Sequence, residues 1–389
     1  MIAFTALPEL SLYIHLPWCI QKCPYCDFNS HQAPDSLPQA RYIDALIADL
    51  DRSLPDVWGR PISSIFLGGG TPSLFEPAEI DRLLAAVRAR LRLLPGAEIT
   101  MEANPGTFEA ERFQGFAQAG INRLSIGVQS FDDAQLKVLG RVHDRGQAVA
   151  AVETALTLFP RVNLDLMFGL PNQTMAQLDQ ELRQAIALGV SHLSCYQLTL
   201  EPNTRFAVSP PSGLPDDDLL ADMQAHVVDR LASHGLHRYE ISAYARSHSD
   251  RSAHNLNYWT FGDYLGIGAG AHGKISSASR ICRTSKFRHP MTYIDSALEM
   301  GEGATEVLEE VGIDALPFEF MLNALRLMDG VPTGRWQLTT GLSIGSHPFL
   351  LDRLGQAQAR GLMVSDLGAF RCTPRGFELL NEVQALFLK

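Results

Sequence analysis

Between residue 10 and about residue 200, short apolar and β-branched runs alternate with longer stretches whose apolar positions recur at helical spacing. The short runs predict six strands, at 12–16, 64–67, 98–101, 123–128, 162–167 and 192–198. The longer stretches predict helices at 39–54, 77–94, 109–119, 147–158 and 174–188. Strand followed by helix, repeated, builds a parallel sheet. Nearly continuous apolar strands such as Ser64-Ile-Phe-Leu suit a sheet filled on one face and covered on the other. The expected fold class is α/β, a partial (β/α)6 barrel, with an open doubly wound sheet as the alternative.

Beyond residue 200 the alternation loosens. An acidic, Pro-rich turn at 210–218 precedes a helix at 219–233, a strand at 237–244 and a Gly-rich stretch at 262–273. The last 85 residues predict helices at 316–328, 347–360 and 374–387 with short strands at 362–365 and 369–372, a mainly helical, winged-helix-like unit. The expected domains are 1–245 for the barrel, 246–304 for a Gly-rich extension and linker, and 305–389 for the C-terminal helical unit.

Composition narrows the class. With 46% hydrophobic and 19% charged residues the chain is an ordinary globular one. A formal charge of −11 argues against nucleic acid as a partner, and the winged-helix-like segment has seven Lys or Arg against ten Asp or Glu. Residues 1–10 do not read as a signal peptide, and no apolar run of about 20 residues predicts a transmembrane segment. The expected compartment is the reducing cytoplasm, where clustered thiols are metal ligands or catalysts more often than disulfides.

Three of the six cysteines, Cys19, Cys23 and Cys26, follow the first strand directly in the pattern Cys-x3-Cys-x2-Cys. Three thiolates without a fourth suit a four-iron cluster whose remaining iron stays open. A structural zinc with His15 or His31 as fourth ligand is the alternative, although no second knuckle is present, and unligated thiols are another. A c-type haem attachment fails because Asp27 follows Cys26. Gly68, Gly69 and Gly70 close the second strand, where absent Cβ atoms let the backbone approach a ligand. Glu102, Gln129 and Thr199 end the third, fourth and sixth strands, and Asp165 lies in the fifth. Asp165 alone also reads as a structural cap. Together these polar groups at one sheet edge are best explained by a shared ligand, because burying them unpaired is costly.

Cys19-x3-Cys23-Pro-Tyr25-Cys26 is similar to the signature of the radical S-adenosylmethionine (SAM) superfamily. The wider frame comprises Tyr13-Ile-His-Leu-Pro-Trp-Cys, Lys22-Cys-Pro-Tyr-Cys-Asp-Phe-Asn-Ser-His31, Gly68-Gly-Gly-Thr-Pro-Ser73, Glu102-Ala-Asn-Pro-Gly106 and Gly127-Val-Gln-Ser-Phe131. It resembles the oxygen-independent coproporphyrinogen oxidase family and, within it, the HemW branch of haem chaperones, from about residue 10 to the C-terminus. The resemblance implies a 4Fe-4S cluster on Cys19, Cys23 and Cys26, with SAM chelating the open iron. Tyr25, Gly69, Gly70 and Thr71 would lie against SAM. Tyr13, Glu102, Gln129, Arg141 and Asp165 would hold it or the second SAM that the oxidases accommodate. Arg141 is carried over because it follows Gln129 by the family interval of twelve; by itself it also reads as a solvated helix-end arginine. Cluster reduction would cleave SAM to a 5′-deoxyadenosyl radical.

Two departures bear on function. The oxidases have a fourth cysteine two residues after the third, where this chain has Phe28, as the HemW branch does. The motif His254-Asn255-Leu-Asn-Tyr258-Trp259 is associated with haem in that branch; imidazole is a good axial ligand, although a lone histidine is more often a hydrogen bonder. His272, in Gly268-Ala-Gly-Ala-His-Gly273, is a second candidate, and no helix pattern follows to support a dinucleotide fingerprint there. The expectation is a chaperone that carries haem as cargo to apo-haemoproteins such as respiratory cytochromes, with the cluster and SAM bound, and that associates as a homodimer. The alternative is the oxidase. No catalytic residue is assigned, and the basic groups that haem propionates require are not identifiable from sequence.

Overall fold

In the computed structural model, which describes residues 2–299, 303–366 and 368–389, β1 (Leu10–Leu16) is almost wholly buried at the centre of the sheet. Parallel to it follow β2 (Pro61–Gly69), β3 (Arg92–Ala103), β4 (Arg123–Gln129), β5 (Arg161–Phe168) and β6 (His192–Gln197). The crossover helices are α1 (Gln39–Val57), α2 (Pro77–Arg90), α3 (Thr107–Ala119), α4 (Arg145–Leu158) and α5 (Met175–Ala187). This is the expected partial (β/α)6 barrel. Capping boxes set two helix starts: Asp144 with Gln147 begins α4, and Thr174 with Gln177 begins α5. The helix expected at 77–94 instead ends at Arg90, and β3 starts at Arg92. Pairing of Arg92 and Leu93 with Pro61 and Ile62 outweighs the helical period of these leucines.

The segment expected as a linker is built into the same sheet. β7 (His237–Arg238) and β8 (Ala243–Ala245) form an antiparallel edge on β6 in place of one strand at 237–244. The chain then crosses to the opposite edge. There β9 (Asp263–Ile267) pairs parallel with β1, and β10 (His272–Ser276), β11 (Ile281–Lys286) and β12 (Thr305–Glu310) continue antiparallel. Among the described residues the order is β12-β11-β10-β9-β1-β2-β3-β4-β5-β6-β8-β7. Residues 300–302, within the expected 246–304 segment, lie outside the described residues.

These late strands carry charges that conceal them in sequence, and buried ion pairs tie them to the barrel. Lys274 Nζ lies 2.8 Å from Asp263 Oδ1, with Arg60 on Asp263 Oδ2, and Lys286 Nζ lies 2.6 Å from Asp49 on α1. Tyr293 donates a hydrogen bond to the other Asp49 oxygen at 2.9 Å. One apolar core fills the barrel. A second joins the C-terminal helices to Tyr239, Ala243, Phe261 and Ile281 of the late barrel segments. In the C-terminal unit the expected 362–372 hairpin is reduced to a Met363–Cys372 bridge, and Ala369–Phe370 pairs with Val331–Pro332. The helix expected at 374–387 divides into Pro374–Glu378 and Leu380–Ala385.

Candidate functional site

The C-terminal ends of β1 to β6 enclose a chamber of about 370 Å³, lined among others by Cys19, Cys23, Tyr25, Cys26, Gly69, Gly70, Thr71, Glu102, Gln129, Arg141 and Asp165. Eleven residues spread over nearly 150 positions of sequence thus meet in one place. Thr199 does not join them; its hydroxyl donates to Glu201 outside the chamber. Tyr13 faces the adjoining cavity described below.

The glycine turn is fixed from both sides. Gly69 has φ +112°, and a Cβ there would collide with the His15 ring; a Cβ on Gly70 would stand 2.6 Å from the Trp18 carbonyl oxygen. Gly70 N–H donates to Leu16 O at 2.8 Å and Thr71 N–H to Trp18 O at 2.7 Å, which clamps the turn to the start of the cysteine loop. Gly69 N–H also donates to Glu102 Oε2 at 3.0 Å. Gln129 enters the chamber from a β-bulge, with φ +71°, and accepts from the Tyr196 hydroxyl at 2.6 Å. Arg141 donates to Gly127 O at 2.7 Å, Asn104 Oδ1 at 2.5 Å and Cys23 Sγ at 3.5 Å. It is thus a half-buried organiser of the wall, not a solvated helix end. Asp165 accepts from Asn163 Nδ2 at 2.7 Å and Ser125 Oγ at 3.1 Å.

Burial dominates the electrostatics. It raises the Glu102 carboxyl to about 7, with Asp165 adding to the rise and the Gly69 N–H opposing it. Asp165 is raised for the same first reason. Burial lifts the Cys19 thiol to about 11 and the Cys26 thiol in the same direction. A bound cationic group reverses that balance and takes the thiolates. The donor set fits a cluster. The three thiols line one chamber, yet among the described residues no three His, Cys, Asp or Glu side chains converge to hold a single ion. Arg141 Nε is buried there without a partner among the described residues.

Gly69, Phe28 and Glu102 also line a second, outer chamber of about 560 Å³. Its wall is aromatic, with Tyr13, Phe66, Tyr258, Trp259 and Tyr264, and the late strands supply Lys274, Arg283, Lys286 and His272. The haem-motif residues lie on helix α6 (Ala253–Trp259). His254 is 1% exposed and both ring nitrogens are engaged. Ser64 donates to Ser11, so His254 Nδ1–H donates to Ser64 Oγ (3.0 Å) and Nε2 accepts from the Tyr258 hydroxyl (3.0 Å). Burial holds this imidazole neutral, near 3. Asn255 is half-buried and does not line the chamber, whereas Tyr258 and Trp259 do. His272 is exposed, lines the chamber, and its ring makes no hydrogen bond among the described residues.

Residues that the sequence pattern did not single out complete both chambers. Asn104 bridges Arg141 and Thr71, and Ser194 and Tyr196 alternate as polar positions in the sixth strand, a signal present at period two. Asn257 donates to Ser11 Oγ and Asp263 O, anchoring the motif helix.

Residues 13–185 match the Radical SAM superfamily and residues 314–379 the HemN C-terminal domain. The chain is 46% identical to the protein of Escherichia coli (strain K12) named heme chaperone HemW, over 98% of this chain and 99% of that one. It is 34% identical to radical S-adenosyl methionine domain-containing protein 1, mitochondrial, of Mus musculus, over 97% of this chain and 87% of that one. The solved structure of coproporphyrinogen III oxidase (HemN) from Escherichia coli shares the fold, with TM-score 0.82 at 23% identity, over 98% of this chain and 90% of that one. Among the described residues no helix is long and apolar enough to cross a membrane.

Proposed function

The chain belongs to the HemW family of radical SAM proteins, and on that premise we propose that it binds haem in the outer chamber and passes it to apo-haemoproteins such as respiratory cytochromes. Cys19, Cys23 and Cys26 hold a 4Fe-4S cluster in this reading. Gly69, Gly70, Thr71, Glu102, Gln129, Arg141 and Asp165 hold SAM beside it. When bound, the cluster supplies one-electron chemistry at its open iron.

The observation that carries the proposal is the pair of chambers meeting at Gly69, Phe28 and Glu102, the inner one thiol-lined and polar, the outer one aromatic and large enough for a flat apolar ligand. Phe28 stands where the oxidases place a fourth thiol; it is 59% exposed and faces both chambers, so it offers an apolar surface and no sulfur chemistry. His272 is the accessible imidazole and supplies the iron ligand. His254 shapes the wall and releases its Nε2 only if the Tyr258 hydroxyl turns away.

Anaerobic haem titration of the cluster-loaded protein, run beside a coproporphyrinogen assay with SAM and reductant, tests this. Stoichiometric haem binding without protoporphyrinogen is expected. Protoporphyrinogen formation, or no haem bound, overturns it. His272→Ala is expected to shift the Soret band and weaken binding about tenfold or more, and a spectrum unchanged by that substitution moves the ligand to another residue.

A further inference from the structure

The outer chamber is not simply basic. Asp27, Glu102 and Glu306 line it together with its cations, so a diffuse positive field does not account for capture of an anionic ligand. The individual cations differ in what they already hold. Lys274 is paired with Asp263, Lys286 with Asp49, and Arg283 with Glu319 while also donating to the Tyr264 hydroxyl at 2.7 Å. Arg288 lines the same chamber, is exposed, and has neither an ion pair nor a side-chain hydrogen bond among the described residues.

Its backbone, in contrast, is held. The Arg288 carbonyl accepts from Asn29 Nδ2 at 2.9 Å, and the same amide donates to Ala269 O at 2.9 Å. Asn29 belongs to the loop that carries the three thiols, and its own carbonyl accepts from His15 Nε2–H at 2.9 Å. The backbone of Arg288 is therefore anchored at the rim of the chamber that His272 also lines, while its guanidinium keeps its donors unspent.

We propose that Arg288 is the carboxylate-recognising residue of the outer chamber, binding a propionate of the macrocycle whose ring lies on the aromatic wall. This rests on the reading of that chamber as the haem site. A guanidinium with free donors forms charge-assisted, bidentate bonds to a carboxylate, whereas an arginine already holding Glu319 has fewer to give.

The test compares ferric haem with haem dimethyl ester, whose carboxylates are neutral, by titration of the full-length protein, Arg288→Gln, Arg288→Lys, and the remote control Arg353→Gln. The wild type is expected to prefer haem over the ester by about tenfold. Arg288→Gln is expected to lose that preference by weakening haem binding alone, Arg288→Lys to fall between, and Arg353→Gln to match the wild type. Arg288→Gln binding haem as tightly as the wild type overturns the proposal, and so does an equal loss for haem and ester, which marks a packing role. A wild type that binds neither ligand overturns the haem reading itself, an outcome visible before any variant is compared.

Discussion

The two chambers share three residues and differ in how they are made. The inner one takes its groups from strand ends that arrive in sequence order, β1 through β6, each a short motif at the close of a strand. The outer one joins residues of β1, β2 and the cysteine loop to groups from α6 and from strands that return to the free edge of β1 about 250 residues later. A site collected from strand ends tolerates loop variation while its edge persists. A site made by late strands depends on the ion pairs that hold those strands in register. On the proposed reading, substitutions should therefore separate the chemistry of the inner chamber from haem binding in the outer one.

The largest expected effect breaks the inner chamber alone. Cys23→Ser removes a thiol that also accepts from Arg141, and iron and acid-labile sulfide are expected to fall to background while haem affinity stays within about twofold. Loss of haem binding in the same variant shows the chambers to be one functional unit.

Next is the anchor of the outer one. Asp49→Ala strands the buried Lys286 ammonium and the Tyr293 hydroxyl, and should cost about 3–5 kcal/mol, read as a lower denaturant midpoint. Haem binding should weaken in this variant more than SAM binding. Equal losses show that β11 is not specific to the outer site.

The smallest effect concerns the boundary residue Glu102. Its carboxyl keeps a proton in the native state up to about pH 7, whereas the unfolded chain releases it near 4.5. In that window the native state binds more protons, so stability falls as pH rises through it, by about 2–3 kcal/mol for this group. Glu102→Gln should flatten the slope between pH 4.5 and 7. Glu181, raised to about 7 first by burial, keeps a second contribution in place. An unchanged slope in the variant shows that Glu102 is ionised in the folded protein.

Most of the barrel was legible because its signals are local. Six strands and five crossover helices follow from apolar periodicity, and the glycine turn, Glu102 and Asp165 announce themselves as polar or Cβ-free positions in apolar strands. Tyr196 was missed in favour of Thr199, although its period-two position beside Ser194 carried the signal. The haem motif was legible as a motif, but its geometry was not. Nothing in His254-Asn-Leu-Asn-Tyr-Trp says that Ser64, 190 positions earlier, occupies one ring nitrogen and Tyr258 the other.

The sequence by itself determined the spacing of three thiols in one loop, the helix caps, the turn that only glycine can make at Gly69, and the absence of a fourth thiol at Phe28. The thiol spacing, the caps and Phe28 rest on atoms within a few residues of one another, and Gly69 on its own positive φ, to which the distant His15 ring adds a close contact. Only the tertiary structure decided that the segments 263–267, 272–276 and 281–286 are strands of the main sheet and not linker, that Arg141 is half-buried with its donors spent on the chamber wall, and that Arg288 alone among the four Lys and Arg side chains of β10, β11 and the following turn that line the outer chamber is left without a carboxylate among the described residues. A lysine in a strand reads as solvated until its counter-ion is known. Asp263 and Asp49 make Lys274 and Lys286 compatible with burial, and the Asp49 pair spans more than 200 positions of chain.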